Sequence, residues 1–153
     1  MKCNVDGAVA KVQNRGAVAA ICRDSRGVYQ GASVVVFDGI TNPEVLEAQA
    51  CAEALNLAAD LQVQKVQVTS DCLNVVKGIN GEPSRGEHYM ILKEISTQRV
   101  RFQMAMFSHE RREANMEAHR LARTATFEAG RHVWFLSPPA GLNIPVNIMI
   151  SGQ

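Results

Sequence analysis

At 153 residues the chain has single-domain length and can bury roughly two thirds of its unfolded surface. Its 46% hydrophobic and 20% charged residues exclude a disordered or fibrous chain. The formal charge of +1 gives no global field to hold a polyanion, so any grip on nucleic acid has to come from local basic groups or bound metal.

No apolar run approaches the roughly 20 residues that span a bilayer, and the start Met1-Lys2-Cys3-Asn4-Val5-Asp6 lacks the apolar stretch of a signal peptide. An intracellular protein is expected, with nucleus and cytoplasm not distinguished. Because a strand starts at residue 2, Met1 is expected to mark the edge of a domain within a longer polypeptide. Cys3, Cys22, Cys51 and Cys72 are widely spaced, form no C-x-x-C pair and stand among apolar or small residues, which predicts reduced core thiols.

Residues 2–9 read as a first strand. Asn14 supplies a turn before the β-compatible run Arg15–Arg23, and Asp24-Ser25-Arg26-Gly27 supplies the next. Val28–Phe37, rich in β-branched residues, follows as a third strand of an antiparallel meander. The period then changes: Ala48, Ala52, Leu55 and Ala59 recur at helical spacing between Pro43 and Asp60, with Pro43 suited to a first helical turn.

Lys65–Ser70 alternates as a strand, Asp71–Ile79 is a short helical candidate, and His88–Ile95 is another. Phe102–Ser108 alternates weakly. Glu113–Phe127 carries Ala114, Ala118, Leu121, Ala122 and Ala125 on one side and closes at Gly130. Helices between the later strands require crossovers, so those strands should run parallel to the first. The expected fold is α/β: a five-stranded mixed sheet, three antiparallel strands then two parallel, flanked by helices. From His132 the character changes, and that segment is expected to lie over the core or to lack order, with Trp134 as a packing anchor.

Asp6 lies in the first strand and Asp71 at the carboxyl end of the fourth, where ligands gather in open α/β sheets. Glu47 heads a stripe of small residues, Cys51, Ala54 and Ala58, that lets its helix approach the sheet. Each carboxylate alone also fits a plain structural part: a turn for Asp6, a helix cap for Asp71, a solvated helix face for Glu47. Together, buried and with no matching Lys or Arg nearby in sequence, they call for a cation, and oxygen ligation suits magnesium or manganese.

Lys2-Cys3-Asn4-Val5-Asp6-Gly7-Ala8, Arg23-Asp24-Ser25-Arg26-Gly27, Glu47-Ala48 leading to Glu53-Ala54-Leu55, Ser70-Asp71-Cys72, and Arg111-Arg112-Glu113-Ala114-Asn115 to Ala118-His119-Arg120-Leu121-Ala122 resemble type 1 ribonuclease H. More narrowly, they are similar to the reverse-transcriptase-associated, retrotransposon-derived group found in plants. The resemblance runs from about Lys2 to Pro139. It implies a ribonuclease H-like domain over residues 1–139 and a C-terminal tail over 140–153.

The resemblance also implies cleavage of the RNA strand of RNA–DNA hybrids by carboxylates that hold two divalent ions, Mg2+ or Mn2+, about 4 Å apart. Asp6, Glu47 and Asp71 match its first three carboxylates, and His109 matches a mobile-loop histidine that assists proton transfer or product release. His119 stands where the family has a fourth, aspartate ligand. As a ligand its imidazole would suit manganese better than magnesium, and the cluster is one negative charge short.

Between Gly81 and Glu94 the hybrid-binding members carry a lysine-rich helix and loop, whereas this chain has Arg85, His88 and Lys93; weak hybrid binding is expected. Arg111, Arg112, Arg120 and Arg123 form a second basic group that can meet phosphates. The implied alternative is an inactive ribonuclease H-like module for nucleic-acid or protein interaction.

Overall fold

A computed structural model of the chain, described over residues 1–82, 86–125 and 129–148, contains one six-stranded sheet in the order β5-β4-β1-β2-β3-β6. The strands are β1 Lys2–Ala10, β2 Arg15–Arg23, β3 Tyr29–Asp38, β4 Lys65–Ser70, β5 Met104–His109 and β6 Gly130–Trp134; the helices are α1 Pro43–Asp60, α2 Leu73–Ile79, α3 Tyr89–Arg99 and α4 Met116–Thr124. β1, β2 and β3 form the antiparallel meander, and β4 and β5 run parallel to β1.

The sixth strand corrects the five expected. Residues 130–134 pair antiparallel with β3, and Trp134 packs against the core while its carbonyl accepts a hydrogen bond from the Tyr29 hydroxyl at 2.7 Å. The last helix also differs. Arg112–Asn115 is a 3-10 turn, so α4 starts at Met116 and Ala114 lies exposed instead of on the buried stripe. Arg85 and Phe127 lie outside the described residues.

β2 is buried along nearly its whole length because the sheet is covered on both sides. Val18, Ala20 and Cys22 join Cys3, Val5 and the apolar face of α1 in one core; Ala17, Ala19 and Ile21 join Ala118, Leu121, Ala122 and Ile144 in the other. This is the period-two alternation of a strand written into two layers.

α1 is fixed at its start by Asn42, whose Oδ1 accepts from the amides of Glu44 (2.9 Å) and Val45 (3.2 Å), with Pro43 in the first turn, where its missing N–H costs nothing. Gly16 lets this end press onto β2: a Cβ there would stand 2.3 Å from the Ile40 carbonyl oxygen and 2.6 Å from Leu46.

The cysteines divide. Cys51 and Cys72 are free thiols, as expected, but Cys3 and Cys22 are joined in a disulfide. The physical reason is register. The two residues face each other directly across β1 and β2 with Cα atoms 4.2 Å apart, the close spacing of an antiparallel pair without hydrogen bonds between its members.

Candidate metal centre

β1 and β4 are paired over Lys2–Asn4 and Gln67–Thr69. Beyond that point β1 continues with β2 as far as Ala10, while β4 stays with β5 up to Ser70 and His109. The strands part at the carboxyl end of β4, the kind of switch point where open α/β sheets bind ligands. Asp6 stands in the opening from β1, Asp71 directly follows β4, and Glu47 projects from the second turn of α1. One oxygen from each of the three carboxylates lies within 4.8 Å of the other two.

Backbone and hydroxyl donors aim these groups. The Gly7 amide donates to Asp6 Oδ1 at 2.9 Å and to Glu47 Oε1 at 3.0 Å. The Ser70 hydroxyl donates to Glu47 Oε2 at 3.1 Å while its oxygen accepts from the Cys72 amide. Gly7 also lets α1 lie close, since a Cβ there would stand 3.1 Å from Leu46 Cβ. Ser70 and Gly7 were missed as orienting residues from sequence, although both directly adjoin a site aspartate.

The electrostatics are those of crowded anions. Burial, followed by the neighbouring Asp6 and Asp71, pushes the Glu47 carboxyl up to about 9. Burial and then Asp6 also raise Asp71, against the opposing positive influence of Arg112 and His109. Such a cluster favours a proton or a cation, and its oxygen-only donor set fits magnesium or manganese.

His119 reaches the same opening from α4. Its Nδ1 lies 2.8 Å from Asp6 Oδ2; facing a carboxylate in the ionised form that holds a metal, which can only accept, Nδ1 is the donor and carries the hydrogen. The ring thus borders the carboxylate cluster through Asp6; the grouped donor atoms are those of Asp6, Glu47 and Asp71. His109 ends β5, exposed beside Ser70.

The basic group divides. Arg123 lines a cleft of ≈ 390 Å³ with Glu47 and His119, and Arg112 lies near Asp71. Arg120, in contrast, donates to the Leu142 and Asn143 carbonyls, so it serves the C-terminal segment instead of facing a phosphate. His88 is buried beside Glu44, and Lys93 lies over the Tyr89 ring.

Residues 4–125 match the model of the reverse transcriptase-like family. Among solved structures, the chain is similar to RNase H1 from the halophilic archaeon Halobacterium salinarum, with 22% identity, 81% of this chain and 95% of that one covered, and a TM-score of 0.70. It is similar to LC11-RNase H1, solved in complex with an RNA/DNA hybrid, at 20% identity, 82% and 95% coverage and a TM-score of 0.71. The N-terminal RNase H domain of a Mycobacterium tuberculosis protein gives 20% identity, 82% and 93% coverage and a TM-score of 0.67. No curated protein matches the chain. The solved ribonucleases H share the fold of this chain, and with the family model covering most of its length the chain belongs to the reverse transcriptase-like family.

Proposed function

We propose that this domain is a metal-dependent endonuclease that cuts the RNA strand of RNA–DNA hybrids. The observation that carries this is the convergence of Asp6, Glu47 and Asp71, from three separate elements, to within 4.8 Å at the strand opening. In the proposal these carboxylates hold Mg2+ or Mn2+, and a bound ion there activates water and stabilises the leaving oxygen.

The remaining work falls to the chain itself. Gly7 and Ser70 hold the carboxylates in register, and Arg112, near Asp71, and Arg123, in the cleft with Glu47 and His119, draw the backbone phosphates of the substrate. His109, exposed at the end of β5 and near Asp71, exchanges protons with solvent as product leaves. Hybrid binding is expected to be weak, because His88 and Arg120 are engaged within the fold. The alternative, a module without catalysis, is favoured by one observation, the imidazole of His119 at the fourth ligand position.

The test is incubation of the protein with a hybrid carrying labelled RNA, in magnesium and separately in manganese, beside an Asp71→Asn variant. Cleavage of the RNA strand that the variant lacks is the expected result. Binding without cleavage in either metal would select the module.

A further inference from the structure

Resting on the nuclease reading above, we propose that the centre holds one divalent ion instead of a pair, and that His119 is the cause: its ring positions Asp6 and is not a metal ligand. A carboxylate shared between two ions must offer one oxygen to each, or one oxygen to both. In this chain Asp6 Oδ1 faces the Gly7 amide at 2.9 Å, and Oδ2 faces the His119 Nδ1–H at 2.8 Å. The second of these contacts places the positive end of an N–H dipole on the side of Asp6 toward α4, the helix that bears the fourth ligand position.

The other ring nitrogen of His119 points away from that oxygen by the shape of a five-membered ring, so the imidazole cannot join Asp6 around a common ion. The three carboxylates are already close enough for a single cation without His119, each offering one oxygen within 4.8 Å of the others. Charge is compatible with this: three carboxylates facing two divalent ions leave an excess of one positive charge, whereas facing one ion they keep one negative charge that favours holding it. His119 therefore acts on the metal through Asp6, as a histidine beside a carboxylate ligand does from outside the coordination sphere.

Isothermal titration of the metal-free protein with manganese chloride decides this, applied to the wild type, His119→Asp, His119→Asn and His119→Ala. One ion is expected in the wild type and two in His119→Asp. His119→Asn keeps an N–H near the Nδ1 position and should hold the first ion as the wild type does, while His119→Ala, with Asp6 unsupported, should bind it about tenfold more weakly.

Two ions in the wild type, a single ion in folded His119→Asp, or an Asn variant as weak as the Ala variant would overturn the inference and leave the nuclease reading standing. No ion in the wild type would sink both. Should the added anion keep His119→Asp from folding, the wild-type stoichiometry and the Asn and Ala pair still decide.

Discussion

Glu47 is the residue at which the site opposes the fold. Its carboxyl is pushed up to about 9 by burial and by Asp6 and Asp71, so the folded chain holds a proton there that the unfolded chain, with an ordinary value of 4.5, releases earlier. The metal-free protein should consequently have its full share of stability from this group below about pH 4.5 and lose it as the pH rises through about 9. Urea unfolding at pH 5 and pH 8 in EDTA should show the decline, and Glu47→Gln should flatten it; a Glu47→Gln profile as steep as the wild type would assign the slope elsewhere. Ser70→Ala removes the donor to Glu47 and the acceptor for the Cys72 amide, and urea unfolding should show a loss of about 1–2 kcal/mol. The three carboxylates were legible through their places in a strand, at a strand end and on a helical stripe, joined by the family resemblance. Ser70 and Gly7 were not, since a hydrogen bond that aims a side chain leaves no periodic trace.

At the scale of elements, α1 and β2 depend on one close approach. Gly16→Ala would drive a Cβ to 2.3 Å from the Ile40 carbonyl oxygen, and denaturant unfolding should register about 1–3 kcal/mol of destabilisation. Asn42→Ala, which strips the cap from α1, should cost about 1 kcal/mol by the same measurement. Helix α1, β2 and β4 were readable to their ends because strong periods meet clear breakers such as Pro43 and Asn14. β6 was not: its five residues carry no alternation and become a strand only because β3 offers an open edge. The Cys3–Cys22 bond was hidden for a related reason. Both strands were visible, but which residues face each other depends on the Lys11–Asn14 turn, whose Asn14 amide returns to the Lys11 carbonyl and sets the pairing of Ala10 with Arg15.

At the scale of the molecule, the C-terminal segment is tied to the second core. Val146 accepts from the Tyr29 amide at 2.7 Å and from buried Arg23 at 3.2 Å, while Leu142 and Ile144 pack beneath. Ending the chain at Pro139 should expose these groups and lower the unfolding free energy by about 2–4 kcal/mol, measured by urea titration; an unchanged midpoint would make the segment an accessory. The same segment engages Arg120, which is why charge counted along the sequence overstated the basic surface near the opening. What remains there is an anionic centre flanked by Arg112 and Arg123, and its account rests on where a cation settles. Diffraction from crystals grown in manganese, recorded for anomalous scattering, tests this directly. A single anomalous peak at bonding distance from Asp6, Glu47 and Asp71 is predicted. An absent peak at that position, or one coordinated by His119, would contradict it.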